Sequence, residues 1–221
     1  VIYTIFSIND TRLHYKNAIR YQVDKWDEFH NLAVDCTDPK MLEFKLNTTR
    51  YAIHIEPGKL ERAGQLGIWF SVLNALAVAH EYPIVTFEDD ALLHANFVPE
   101  FFDRIKQLPD DADFFALFIP RDSDHLYDNE TMSVSAKLCR AYQNYGGVSM
   151  YYTPQGARKI MRLLDRDGLH EQYDNQLFDY VKAGELNGYT SKPYFPDLVY
   201  ITGQEASIVQ ESEIIHEGSQ D

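Results

Sequence analysis

The residues of this chain best suited to do chemistry are Glu88, Asp89 and Asp90, consecutive acids that end the apolar run Pro83-Ile84-Val85-Thr86-Phe87. Ile, Val, Thr and Phe favour a buried strand. Adjacent carboxylates at its carboxyl end repel one another unless a cation or a set of hydrogen-bond donors holds them. In open α/β sheets that end of a strand is where ligands bind. Side chains alternate along a strand, so the spacing predicts Glu88 and Asp90 on one face and Asp89 on the other. An acid-x-acid pair suits magnesium or manganese, which take one or two carboxylates and fill their shell with water and phosphate oxygens. It does not suit a helix–loop–helix calcium site, which needs alternating acids over about twelve residues around a central Gly. The competing reading is a solvated strand end or a turn that caps the next helix.

Composition bounds the other functions open to the chain. At 221 residues it suits one domain with a real core, and 45% hydrophobic with 14% aromatic residues excludes a disordered chain. We treat 1–221 as a single unit, with 1–120 as the nucleotide and metal half and 121–221 as the acceptor half. No apolar run approaches the length of a membrane span. Val1 to Ile8 lacks a basic leader and reads as a first core strand, while the absence of an initial Met leaves room for an upstream segment. Two cysteines, Cys36 and Cys139, make neither a disulfide framework nor a four-thiolate zinc site, and a cytoplasmic location is the default. The net charge of −14 opposes broad binding to nucleic acid or anionic lipid. A local exception is Arg158, Lys159, Arg162 and Arg166, of which 158, 162 and 166 share one helix face. That face is either an acceptor-binding surface or a solvated one.

The elements that must position these residues alternate between strand and helix. Strands are expected at 1–8, 30–36, 51–55, 83–88, 113–119, 145–153 and 194–201. Helices are expected at 12–26, 60–80, 96–108, 154–164 and 174–183, with Pro154 at a first helical position where its missing N–H costs nothing. Residues 121–139 read as a loop or flap. The pattern predicts an α/β sandwich around a mainly parallel sheet.

The segment Ala63-Gly64-Gln65-Leu66-Gly67-Ile68-Trp69-Phe70-Ser71-Val72-Leu73-Asn74-Ala75-Leu76, followed by Pro83 to Leu93, resembles the core of glycosyltransferase family 25, which includes lipooligosaccharide and collagen-type glycosyltransferases. The likeness continues through Ser7-Ile8-Asn9-Asp10 with Arg12, Asp113 to Leu117, Gly146 to Ala157, Tyr173-Asp174, Pro196 to Val199 and Ser207 to Ile215. Gln65 stands where that family often has an acid, and Val72 replaces a His after Ser71.

This resemblance implies a GT-A (Rossmann-like) α/β/α sandwich with a mixed, mostly parallel sheet. It also implies a UDP-sugar donor, Mn²⁺ or Mg²⁺, and inverting transfer of a hexose to an acceptor hydroxyl. Asp90 becomes the direct metal ligand, with Glu88 and Asp89 near the ribose, base or metal waters, and His216 is a third ligand or an ordinary polar residue. Asp174 becomes the catalytic base, unless it is only a helix N-cap; Asp179 is the weaker choice. Ser7, Asn9 and Arg12 contact the nucleotide, although Arg12 also suits an ordinary surface cation. Gly146 and Gly147 allow close backbone approach to the sugar or mark a β-bulge. Tyr142, Tyr145, Tyr151 and Tyr152 stack on a sugar or base or belong to the core. Two other readings stand beside this one: a phage-type enzyme glycosylating a modified DNA base, and a noncatalytic nucleotide-sugar or glycan-binding module. The sequence leaves oligomeric state, sugar and acceptor open.

Overall fold

The computed structural model describes residues 1–8, 12–30, 32–118, 133–142, 146–192, 195 and 197–201. In chain order the first half forms β1 (Ile2–Phe6), α1 (Leu13–Gln22), β2 (Asp27–Glu28), α2 (Pro39–Thr48), α3 (Ala63–Ala79), β3 (Ile84–Glu88), β4 (Ala91–Leu93), α4 (Phe97–Ile105) and β5 (Phe114–Ala116). The second half adds β6 (Leu138–Arg140), β7 (Ser149–Tyr152), α5 (Pro154–Asp167), α6 (Tyr173–Lys182), β8 (Gly188–Ser191) and β9 (Val199–Ile201). Seven of these strands form one sheet in the order β2-β1-β3-β7-β5-β8-β6, and β4 pairs with β9 in a separate two-stranded sheet. β1 runs parallel to β2 and β3, and β5 parallel to β8. β7 is antiparallel to both β3 and β5, and β6 to β8, so most strands share one direction. The mixed, mostly parallel α/β architecture expected from the sequence is present.

Strand alternation divides the core in two. Ile84, Phe114, Met150 and Tyr152 face a layer built from α3, α5 and α6, where Leu66, Trp69, Leu164 and Leu177 are buried. Their neighbours Val85, Phe87 and Phe115 face the opposite layer, with Ile19 of α1 and Phe97 and Phe101 of α4. α3 is apolar nearly all round and lies buried along most of its length, as such a helix must. Gln65 at its third position accepts the N–H groups of Glu61 and Arg62, each at 2.8 Å, and caps its start. Val72 is fully buried, which explains an apolar residue there in place of a His. Among the described residues no helix is long and apolar enough to cross a membrane.

Several elements differ from expectation. α1 stops at Gln22 because the chain then turns to lay β2 against β1, with Asp27 N–H on the Val1 carbonyl at 3.0 Å. Trp26, expected in that helix, packs instead on the rings of Phe97 and Phe101. Residues 32–36 form no strand, since α3 side chains take their backbone groups. At 51–55 only Ile53 makes a bridge, to Leu169. α2 begins at Pro39 behind Asp38, whose carboxylate accepts the Lys40 N–H at 3.0 Å. The strands β2, β4, β6 and β8 and helix α2 were not anticipated.

The joint between α1 and β2 is an ion pair: Arg20 Nε and Nη2 each donate to Glu28 at 2.8 Å. Hydrogen bonding to Arg20 lowers the Glu28 pKa, more than its partial burial raises it. A carboxylate held below its unfolded value stabilises the fold above that value, and the contribution is lost as pH falls through the folded pKa. Glu28→Gln should therefore cost up to about 1 kcal/mol at neutral pH, an upper bound because Arg20 is partly solvated. Denaturant titrations of both proteins should converge as the pH drops below the ordinary carboxylate range; a pH-independent difference would contradict the pairing.

Candidate active site

β1 and β3 lie side by side and parallel, but the chain leaves them toward opposite edges of the sheet. Ligand crevices of α/β sheets form outside the carboxyl ends of strands at such a reversal. A cleft of about 80 Å³ opens there. Phe6, Ser7 and Ile8 line it from the end of β1, and Arg12 from the start of α1. Gly64, Gly67, Ile68 and Ser71 contribute the first turns of α3, residues 33–37 form a side wall, and Glu88, Asp89 and Asp90 close it. Two helix starts thus face the cleft, where their N–H groups favour an anion such as phosphate.

The alternation expected through the acids stops at Glu88. β3 ends there, and a turn carries Asp89 and Asp90. Asp89 consequently does not point away from its neighbour. Arg12 Nη1 lies 2.9 Å from Asp89 Oδ1 and 3.3 Å from Asp90 Oδ2, gathering both. The Asp89 side chain is 8% exposed and that of Asp90 23%, so Asp89 is the buried anchor and Asp90 the acid that reaches the cleft. The solvated strand end is thereby excluded, and so is Arg12 as a surface cation, for it is buried. Glu88 is pushed up to about 8, first by burial and then by the charges of Asp90, Asp174 and Asp89, against the pull of Arg12.

Asp174 is the second residue of α6, not its N-cap; Gln172 occupies that position. One carboxylate oxygen accepts the Gly146 N–H at 2.6 Å. Burial raises its pKa, opposed by that N–H and by those of Asn175 and Asp174 itself. Its charge is among those that lift Glu88, although Asp174 is not part of the cleft wall. Asp179 is exposed and paired with Lys182 at 3.1 Å, apart from this group. Asn9, Tyr145 and His216 lie outside the described residues.

The two glycines serve the fold. Gly146 has φ of +111°, a conformation that L side chains rarely adopt, and this aims its N–H at Asp174. A Cβ on Gly147 would lie 1.5 Å from the Tyr173 hydroxyl, which donates to the Gly147 carbonyl. Gly147 is therefore required by Tyr173 and is buried. Tyr151 packs edge-on against Phe101 and Tyr152 is fully buried, so both belong to the core. The basic face of α5 is interrupted: Lys159 pairs with Asp113 at 2.8 Å, and Arg166 with Asp167 at 2.6 Å and Glu185 at 2.7 Å.

Sequence reasoning missed the 33–37 wall, and α3 is what holds it. Ser71 Oγ accepts the Val34 N–H at 2.8 Å and donates to the Gly67 carbonyl at 2.7 Å. Asn74 donates to the Leu32 carbonyl at 3.0 Å. Any Cβ at Gly67 would meet the Val34 carbonyl at 2.7 Å. Gly67, Ser71 and Asn74 share one helix face by their spacing, a polar stripe on an otherwise apolar helix that signals this contact. The wall presents Asp35, which accepts the Thr37 N–H at 2.9 Å, and buried Cys36. Burial raises the Cys36 thiol to about 12, so it is no nucleophile.

No protein-family model matches the chain, and no curated protein matches its sequence. Among solved structures it is similar to mouse xyloside xylosyltransferase 1 in its apo form, at 12% identity and a TM-score of 0.36, over 84% of this chain and 70% of that one. A match of that size is too slight to transfer an activity.

Replacing Ser71 with Ala strands the buried Val34 N–H, a loss of about 1–3 kcal/mol. Amide exchange at Val34 should speed up in this variant while exchange in β3 follows global stability alone. Unchanged protection at Val34 would show that the wall is held otherwise.

Proposed function

We propose that this chain is a metal-dependent inverting glycosyltransferase that moves a hexose from a UDP-sugar to an acceptor hydroxyl. The observation that carries the proposal is the convergence of Glu88, Asp89, Asp90 and Arg12 in a cleft at the carboxyl ends of β1 and β3, beside two helix starts. A diphosphate fits those helix starts, and the acids oppose it unless a cation intervenes.

The donor set fits a divalent ion shared with phosphate. Among the described residues no group of three His, Cys, Asp or Glu side chains is placed to hold a metal ion by itself. Mg²⁺ or Mn²⁺ bound to a nucleotide diphosphate needs only one or two carboxylates. Asp90, the acid that reaches the cleft, would hold it directly, with Glu88 beside it. The ion supplies charge neutralisation for the departing diphosphate.

The chain's own residues supply the rest. Arg12 and buried Asp89 fix the position of Asp90, and Ser7 with the 33–37 wall lines the cleft for the nucleoside. Asp174 takes the proton of the acceptor hydroxyl, whose oxygen bonds to the anomeric carbon as the bond from that carbon to the diphosphate oxygen breaks. UDP departs, and the carbon inverts. Partial burial supports this role by making Asp174 a stronger base than a solvated Asp, and the Gly146 N–H steadies one of its oxygens. No observation favours modified DNA as acceptor, because carboxylates neutralise Lys159 and Arg166, two of the four cations of α5.

Asp90→Asn should lower Mn²⁺-dependent sugar transfer or donor hydrolysis by about a hundredfold or more and remove metal-dependent UDP binding, with the circular dichroism spectrum intact. Normal turnover in that variant sinks the proposal. Asp174→Asn should keep UDP affinity and lose about 10²–10⁴ in kcat. Full activity would leave Asp174 the structural task of holding Gly146.

A further inference from the structure

At the far end of α3 from the cleft, a second cavity of about 370 Å³ is lined by Arg50, His80, Arg158, Met161, Arg162 and Asp165. α3 spans its 17 residues between the two sites, so they lie about 25 Å apart. Each arginine here can be assigned a task from its contacts, except one. Arg50 pairs with Asp165 at 3.1 Å and lies over the Tyr51 ring. Arg158 donates to the His80 carbonyl at 2.8 Å and so caps the carbonyl end of α3. Arg162, one turn further along α5, has no carboxylate partner among the described residues, and neither has Arg158.

The other cations of α5 differ in this respect. Asp and Glu number 34 against 20 Lys and Arg, and the other cations of the same helix, Lys159 and Arg166, are both paired. Like charges one helical turn apart repel each other. Three guanidiniums around one cavity, against the single carboxylate of Asp165, leave a local positive excess on a strongly acidic protein. Guanidinium forks match the oxygens of phosphate and sulfate. With Lys159 and Arg166 neutralised, the excess is compact and suits a single oxyanion group better than an extended polyanion backbone.

We infer that the cavity between Arg50, Arg158 and Arg162 is an anion site that takes one phosphate or sulfate group, gripped chiefly by Arg162 and by the N–H groups of Arg158 not engaged by His80. The inference is independent of the reaction proposed for the cleft, and its test requires no activity.

The test is a thermal-denaturation series in inorganic phosphate, with sodium chloride at matched ionic strength as reference, on the wild type and Arg162→Gln. A ligand that binds only the folded state raises Tm in a saturable way. The wild type should show that rise, and Arg162→Gln should weaken the apparent phosphate affinity by about tenfold. Without phosphate the variant should melt at the same temperature as the wild type or slightly above it, because a like-charge repulsion has been removed; a structural role for Arg162 predicts a lower Tm. A parallel arm with a sulfated disaccharide separates the sources. Tighter binding than inorganic phosphate assigns the site to an esterified glycan, and equal or weaker binding to the free anion, provided that both depend on Arg162. The inference is overturned if phosphate acts no differently from chloride, or if the phosphate increment is the same in both proteins.

Discussion

The ion pair between Arg12 and the two aspartates after β3 is the contact on which the cleft depends. It joins residues 77 positions apart in sequence, and it closes the space between the first strand's exit and the third's. Without a cation there, three adjacent carboxylates at a half-buried strand end would drive one another apart or into solvent. With it, Asp89 becomes a buried anchor and Asp90 is left facing the open side. Burial first, and then the charges of Asp90, Asp174 and Asp89, raise the Glu88 pKa to about 8 against the pull of Arg12.

Around that contact the fold supplies rigidity in a graded way. The parallel pair β1–β3 fixes the floor, and its neighbour β7 brings Gly146 and Gly147 close to the amino end of α6. There Tyr173 packs on Gly147 and Asp174 holds the Gly146 N–H, so the second carboxylate group is positioned by backbone geometry. The side wall is of a different kind. Residues 33–37 belong to no strand and stay in place through two polar side chains of α3 and the absence of a Cβ at Gly67. The base of the cleft is thus set by sheet hydrogen bonds, and its width by the face of one helix.

Much of this was legible in the sequence where periodicity and chemistry agreed. The apolar length of α3, the β-branched run of β3 and Pro154 at a helix start each announced an element, and the acids marked the cleft. What failed did so for physical reasons. β2, β6 and β8 are two to four residues long, too short to show a period, and exist because neighbouring strands accept them. α2 buries none of its residues fully, although Asp38-Pro39 is a readable start signal. Alternation misplaced Asp89 because local sequence does not say where a strand yields to a turn. No pattern within 88–90 reveals that Arg12 will meet it. Asp174 reads in the sequence as a catalytic base or a helix N-cap; it is not the cap, and its place follows from Tyr173 and Gly147 packing, which only three dimensions display.

The most direct measurement is paramagnetic broadening of backbone amide signals by Mn²⁺ in the presence and absence of UDP. A nucleotide-diphosphate cleft organised by Arg12 and the acids predicts UDP-dependent broadening centred on Ser7, Arg12, Gly64 and residues 88–90, with little effect at Arg158 and Arg162. Broadening that ignores UDP, or that centres away from the ends of β1 and β3, would contradict it.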